Sequence, residues 1–330
     1  MKCVINGKDF CKLLQYKDSI CISVENGILK ACAKLKGLET LVAFNVDVTE
    51  GTDDFFAVTF SDTVNYFKDC DTEITVTASE TIVTISDGIV SIDVPITRDV
   101  IADYTIPEHK EEDTRPLRKT GALRSMLSTM SEVSKALLDY SGTYLTVYKG
   151  IASILNCSML LECEVDLPDL RVSASAMLNA LSIVNVADDV LVVDDERYIL
   201  FITDSIVIRI VKEQFAVPIT SESLMAKHAV LDTTDVKAPG VSKTLRSLSY
   251  FKDSSAASIT YNENELGVSM RGNTYNVHTD VVGHTVFLNP RVLVVLGRFL
   301  NADHYNIVRG EKHVCLSTMS RKLVICATSF

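Results

Sequence analysis

Short runs in which apolar and polar residues alternate cover much of the chain, and they return in a fixed order. Alternation over so few residues marks a strand with one buried face. Residues 55–61 read as such a strand, running into Val64 and Phe67 at helical spacing. Residues 169–175 do the same ahead of Leu178 and Leu181, and residues 285–289 ahead of Val292 and Val295. Val58, Val172 and Val286 stand 114 residues apart each time. That period is too long for a solenoid, so it predicts three copies of a whole domain.

Each copy continues in step. After the helix come paired strands at 73–77 and 81–85, at 189–193 and 198–202, and at 304–308 and 313–317. One more apolar strand closes each copy, at 90–96, 206–211 and 323–327. The first half of each copy repeats the same motif. In the first, residues 1–5 read as a strand and 9–16 as a helix with Phe10, Leu13 and Leu14 on one face. Strands at 20–24 and 28–33 follow. The equivalent helices fall at 121–135, with Leu123, Met126, Leu127 and Met130, and at 240–251, with Val241, Leu245 and Leu248. Boundaries in the polar stretches 108–115 and 220–227 give domains of 1–110, 111–219 and 220–330.

Composition supports this division. A chain of 330 residues, 47% apolar with a mean hydropathy of +0.20, has material for three cores of about 110 residues. No apolar run approaches the ~20 residues of a membrane-spanning helix. Residues 1–4 read as the start of a strand rather than a signal peptide. The nine cysteines lack any CxxC spacing and read as reduced thiols packed as small hydrophobes, which points to the cytoplasm.

Charge adds a second layer. The net charge of −11 argues against nucleic acid, but its distribution argues the other way. Six helix windows (8–17, 61–70, 118–135, 173–184, 240–252 and 289–300) hold 13 Lys or Arg against 4 Asp or Glu. The remainder holds 19 basic and 39 acidic residues. Lys and Arg are good helix formers, and solvated helix faces account for part of this excess. The split also suits a protein that presents helices to phosphates while its outer surface repels DNA.

Catalytic chemistry is not written in the chain. It has no GxSxG, P-loop, HExxH or GxGxxG motif, and its six histidines show no ligand spacing. Asp188-Asp189 and Asp194-Asp195-Glu196 flank a strand and read as a solvated hairpin end rather than a cation site. The expectation is a non-enzymatic protein without cofactor or metal.

Three copies, two strand-helix-strand halves in each, cationic helices and an acidic remainder together resemble a sliding clamp of the bacterial type, the beta subunit of DNA polymerase III. The segment Phe287-Leu-Asn-Pro-Arg-Val-Leu-Val-Val-Leu-Gly-Arg-Phe-Leu300 is similar to that family's final strand-helix stretch, and residues 323–330 to its apolar terminal strand and tail. The likeness extends over the whole length in pattern. Tyr144 to Asn156 stands where cellular members carry Gly-His-Arg, and the chain is shorter than typical members, as in a phage or other divergent version.

The resemblance implies an α+β DNA clamp fold of three repeated domains, with helices lining a central hole and sheets outside. It implies two chains closing head to tail into a ring around double-stranded DNA, with a DNA polymerase and a clamp loader as further partners and no membrane. Contact with DNA would then be to phosphates, without sequence reading. Lys8, Lys12, Lys68, Arg118, Arg124, Lys243, Arg246, Arg291 and Arg298 are the candidate lining residues. By the same analogy Val90 and Ile92 would meet Leu248 and Phe251 of a second copy. A client peptide would enter an apolar pocket built from Phe215, Val217, Pro218, Val324, Ile325 and Cys326.

Two other readings compete. One is a monomeric processivity factor, which needs one strongly basic face. The three domains carry −8, −6 and +3, so none is basic enough to hold DNA alone. The other is a β-rich architectural virion protein, in which the helix charges have no role.

Overall fold

A computed structural model of the chain describes residues 1–14, 19–35, 38–51, 54–98, 114–118, 120–137, 144–156, 159–184, 190–203, 206–227, 230–237, 257–262, 265–270, 273–278, 285–288, 299, 304–310 and 313–326. The first copy runs β1 (Lys2–Asn6), α1 (Gly7–Leu13), β2 (Ile20–Glu25), β3 (Ile28–Leu35), β4 (Leu38–Asn45), β5 (Asp47–Glu50) and β6 (Asp54–Val58). A 3-10 helix (Asp62–Asp69) then leads to β7 (Glu73–Ala78), β8 (Ile82–Ser86) and β9 (Ser91–Thr97). The second copy runs β10 (Thr114–Pro116), α2 (Thr120–Leu137), β11 (Tyr144–Tyr148), β12 (Ile151–Leu155), β13 (Met159–Glu164) and β14 (Leu170–Ser173). It continues with α3 (Ala174–Ile183), β15 (Leu191–Asp194), β16 (Tyr198–Ile202) and β17 (Ile206–Val211). The third runs α4 (Ser221–Met225), β18 (Val230–Lys237), β19 (Ala257–Asn262), β20 (Glu265–Met270), β21 (Asn273–His278) and β22 (Thr285–Leu288). It ends in β23 (His304–Gly310), β24 (His313–Ser317) and β25 (Arg321–Cys326).

One rule orders the strands of every copy. The strand that opens each half joins the sheet of the other half. First-half sheets are therefore ordered β6-β2-β3-β4, β14-β11-β12-β13 and β22-β19-β20-β21. Second-half sheets are ordered β1-β7-β8-β9, β10-β15-β16-β17 and β18-β23-β24-β25. The 114-residue period survives at the level of register: Ile151 faces Glu164 across the β12–β13 hairpin, and Glu265 faces His278 across β20–β21. Asn26-Gly27 and Lys149-Gly150 turn the equivalent first-half hairpins with positive φ at both residues, the two-residue turn that follows strand twist.

Two seams run between copies. β17 pairs antiparallel with β4, from Ile206 opposite Val42 to Ile210 opposite Leu38. β25 pairs antiparallel with β13, from Arg321 opposite Cys163 to Ile325 opposite Met159. These ladders explain why the chain parts into two compact units that do not follow the expected boundaries. One unit is Met1–Pro116 with Asn179–Val211, and the other is Leu117–Leu178 with Lys212–Phe330. β15–β17 stay with the sheet of β4, and β11–β14 stay with that of β25, so the 111–219 segment is shared.

Helices cover the apolar sheet faces. In the first unit Phe10 and Leu13 of α1, Val64 and Phe67 of the 3-10 helix, and Ile5, Ile74 and Val76 of the strands are all buried. Phe10 meets Phe60 and Phe67 edge-on, with ring centroids 6.0 and 6.2 Å apart. The second unit buries Leu123, Met126, Leu127 and Met130 of α2, as their spacing predicts. The helix expected at 61–70 is present as a 3-10 helix with Val64 and Phe67 buried, and one local expectation changes. The stretch 220–227, expected to be a polar boundary, contains α4. Its start is fixed by a capping box in which the Thr220 and Ser223 side chains exchange bonds with each other's backbone N–H. The expected helices at 240–252 and 289–300 lie, apart from Phe299, outside the described residues. No helix among the described residues is long and apolar enough to cross a membrane.

The approach of α1 to the following loop is close. Asn6 caps the helix by accepting from the Lys8 N–H at 2.9 Å, and a β-carbon at Gly7 would collide with the carbonyl oxygens of Cys70 and Thr72. Gly7→Ala should therefore destabilise the chain by about 1–3 kcal/mol, the cost of forced overpacking. Urea denaturation followed by circular dichroism measures this, and an unchanged midpoint would refute the packing argument.

Candidate functional site

Short helices carry the candidate phosphate contacts. Lys8 stands on the first turn of α1 with its side chain 75% exposed, its ammonium 3.9 Å from the Asp71 carboxylate. Lys68 is exposed near the end of the 3-10 helix. The Cys11 thiol, one turn after Lys8, donates to Lys68 O at 2.9 Å, so the structure brings Lys8 and Lys68 onto one packed helix pair. Arg118 is exposed just ahead of α2, while Arg124 within that helix is half-buried. Lys12 lies on α1, but its side chain is outside the described residues, as are Lys243, Arg246, Arg291 and Arg298 altogether. The helix α3 carries no charge, as its sequence requires.

Val90 and Ile92 are half-buried at the start of β9. Leu248 and Phe251, the residues expected to meet them, lie outside the described residues. The turn leading into β9 is held by Asp87, whose Oδ1 accepts from the N–H groups of Ile89 and Val90 at 2.9 and 2.7 Å. These bonds hold its carboxyl below the usual carboxylate range. The Asp194-Asp195-Glu196 cluster is exposed and turns the β15–β16 hairpin: Asp195 Oδ1 accepts from the Arg197 N–H at 2.9 Å.

A cavity of about 530 Å³ opens in the second unit where the β11–β12 turn, β13, the segment leading to α4 and the β24–β25 turn meet. Val217, Pro218, Tyr148 and Met319 give it apolar walls, and Glu162, Arg321 and Lys322 give it charge. Its rim is unusually apolar for exposed surface: Val217 is 70% and Met319 fully accessible, with Phe215 and Ile219 beside Val217 in the chain also exposed. The Phe215 ring lies 6.1 Å from that of Tyr148, which also carries the Lys149 ammonium 5.1 Å from its centroid.

The polar side of the cavity is braced. Glu162 is buried and accepts from the Ser221 N–H at 2.8 Å and the Ser221 hydroxyl at 2.6 Å, which ties β13 to the first turn of α4. Lys322 reaches Glu222 at 3.8 Å. Arg321 donates to Phe299 O and lies over the Phe299 ring, 5.6 Å from its centroid. Burial pushes the Cys163 thiol up to about 12 and the Cys315 thiol to about 11, so both pack as neutral groups.

The six residues expected to form one pocket separate. Val217 and Pro218 line the cavity, and Phe215 reaches its Tyr148 wall. Val324 does not: it is buried with Leu160 and Cys315 beneath Leu224 and Met225 of α4. Ile325 and Cys326 continue β25 away from the cavity, opposite Met159 and His313, and their side chains are outside the described residues. The physical reason is α4, which occupies the sheet face that the expectation left open. Glu162, Tyr148, Lys149 and Arg321 escaped the sequence reading. Glu162 had a signal, as the lone acid in the apolar run Met159-Leu-Leu-Glu-Cys163, where an unpaired charge would be costly.

Replacing Glu162 by Ala strands two Ser221 donors and should cost about 1–3 kcal/mol. Thermal unfolding tests the cost, and hydrogen exchange should find the amide of Ser221 less protected. Native protection at that amide would contradict the brace.

The fold matches solved bacterial sliding clamps along its whole length. The Helicobacter pylori beta clamp, solved bound to a DNA ligase peptide, superposes with a TM-score of 0.73 at 10% identity, all of each chain being covered. The DNA polymerase III beta subunit of Thermotoga maritima gives 0.74 at 12%, covering 100% of this chain and 99% of that one. That of Borrelia burgdorferi, solved with a natural product, gives 0.77 at 11%, covering 100% and 98%. No protein-family model and no curated protein matches the chain. The fold is thus the α+β clamp fold.

Proposed function

We propose that this chain is a sliding clamp, a non-enzymatic processivity factor whose two copies close head to tail around duplex DNA and tether a DNA polymerase. The observation that carries this reading is the edge rule of the sheets. In both internal seams the last strand of one copy pairs with the fourth strand of the preceding first-half sheet: β17 on β4, and β25 on β13. Among the described residues, the same rule finds no receiving strand for β9, which pairs with β6 only at Ile96 and Thr97, and no last strand for β21. A last strand and a receiving strand on opposite copies of a head-to-tail array are what a closed ring consumes.

Three clamp domains, 1–110, 111–219 and 220–330, fit this reading, because each contributes one sheet of either kind. Lys8, Lys68 and Arg118, with the other helix cations, then serve as a diffuse phosphate contact that holds DNA without fixing its position. With three domains per chain, two chains give a six-domain ring, the number of copies being taken from the resemblance. A separate loader opens and closes it, since the chain has no nucleotide-binding motif. The cavity beside Val217 and Pro218 receives a short segment of the polymerase or another client. Its apolar wall and few fixed polar groups suit such a ligand.

Negative-stain images of the purified protein should contain closed rings with an open centre. Compact particles without a hole would overturn the reading. Reversing Lys8, Lys68 and Arg118 to Glu should leave the ring intact and weaken binding to a short duplex at low salt by tenfold or more. The slope of log K against log salt should shrink by about 0.9 for each phosphate that is no longer neutralised. Unchanged affinity in fluorescence anisotropy would remove these residues from the DNA surface.

A further inference from the structure

We propose that Cys21 and Cys32 form a reversible dithiol site, which a small disulfide such as oxidised glutathione converts to an intrachain disulfide between β2 and β3. The pairing is fixed by the register of these two strands and is independent of the ring.

The ladder sets the two residues opposite each other. β2 and β3 form a hairpin about Asn26-Gly27, with Glu25 opposite Ile28 at its closed end and Cys21 opposite Cys32 four pairs further on. The residues flanking a two-residue turn exchange both backbone bonds, and hydrogen-bonded and non-hydrogen-bonded pairs alternate from there. Cys21 and Cys32 are therefore a hydrogen-bonded pair, with Cα atoms about 5.5 Å apart, inside the range that a disulfide spans. Ile20, Ile22 and Val24 of β2 and Leu29 and Ala31 of β3 are buried. The two cysteines share the opposite face, next to Ser23 opposite Lys30. Both are half-buried and neither is in a disulfide.

The other described thiols are placed differently. Cys3, Cys163 and Cys315 are buried, and desolvation pushes them up to about 11, 12 and 11. None of them faces a second thiol: Cys3 lies opposite Val48 and Val76, Cys163 opposite Ala152 and Arg321, and Cys315 opposite Val308 and Val324. Cys11 donates to Phe67 O and Lys68 O at 3.1 and 2.9 Å, and Cys70 Sγ lies 3.0 Å from Thr72 Oγ1. Among the described residues no other ladder opposes two cysteines.

Closure proceeds by two exchanges. The thiolate of one cysteine attacks a sulfur of the small disulfide, forming a mixed disulfide and releasing one small thiolate. The opposite cysteine, as its thiolate, attacks the protein-side sulfur of that mixed disulfide. The Cys21–Cys32 bond forms and the second small thiolate leaves. Two electrons pass from the protein dithiol to the small disulfide, and the two protons end on the released thiols. The second exchange is intramolecular, between groups that the ladder already holds together.

The same ladder sets the poise. Cβ atoms of a hydrogen-bonded pair stand about 5.5 Å apart, against about 3.8 Å across a relaxed disulfide. Closing the bridge draws the strands together against their backbone bonds, and a strained bridge is the more readily reduced one. The site is thus a dithiol in reducing surroundings and a bridge while small disulfide is in excess. On the same face the row continues from Cys32 through Leu41 of β4 to Val207 of β17, so the bridge forms in the sheet that carries the first seam.

Peptide mapping of the native chain tests the site. The folded protein is incubated with oxidised glutathione, its remaining thiols are blocked with N-ethylmaleimide, and it is digested with trypsin without reduction. Mass spectrometry should find peptide 18–30 joined to peptide 31–34, from protein that runs as a single chain on a non-reducing gel. Excess reduced glutathione, added to the folded protein before blocking, should abolish the link. The C21S and C32S chains should instead retain glutathione on the one remaining cysteine of the pair. Both native thiols blocked, glutathione retained on either of them in the native chain, or Cys11 joined to Cys70 in place of this pair would overturn the proposal. A link that persists in excess reduced glutathione would overturn its reversibility.

Discussion

A strand at the edge of a sheet exposes a row of backbone donors and acceptors that must be paired, blunted or covered. That constraint organises this molecule. Six short sheets built from strands of three to eight residues would each be marginal alone. Joining β4 to β17 and β13 to β25 converts edges into interior ladders and places Leu161 against Leu323 and Leu160 against Val324, all four buried. The exchange of β1 and β6, and of their counterparts, between half-domain sheets does the same within a copy. β9 carries a proline and an aspartate on its outer edge, two features that blunt an edge against indiscriminate pairing.

The helices depend on this framework. α1 has seven residues and the 3-10 helix eight, too few to persist in water unaided. They hold because Phe10, Val64 and Phe67 pack on the strands beneath, which frees their outer faces to be polar. A charged outer face on a helix whose inner face is pinned is a way to present cations at fixed height with flexible side chains. On the clamp reading this is what a surface that must let DNA slide requires: enough positive charge to retain phosphates, and no geometry that prefers one base pair.

Most of the architecture was legible in the sequence, because period-two alternation and an internal repeat are both properties of local spacing. β7, β8, β16 and β24 fall where the alternation put them. The failures are tertiary. The helix α4 was hidden by its polar composition, although Thr220 and Ser223 carry the capping signal. Its presence separates the expected residues, for α4 buries Val324 while Val217 and Pro218 line the cavity. The apolar run around Glu162 marks it as a charge in need of a partner, but that the partner is Ser221, 59 residues away, has no local trace.

Identity of 10–12% with clamps that superpose along the whole chain raises the question of what such a fold demands of its sequence. The answer lies in the kind of interaction it uses. A ladder between backbones is indifferent to side-chain identity as long as one face stays apolar and no proline intrudes. On the clamp reading, a phosphate contact spread over many lysines and arginines likewise tolerates the removal or displacement of any one. Neither demand fixes a motif, so sequence can drift while topology stays. What cannot drift is register, since a slip of one residue turns the buried face of a strand outward. The preserved 114-residue spacing, visible in Ile151 opposite Glu164 and Glu265 opposite His278, is the imprint of that restriction.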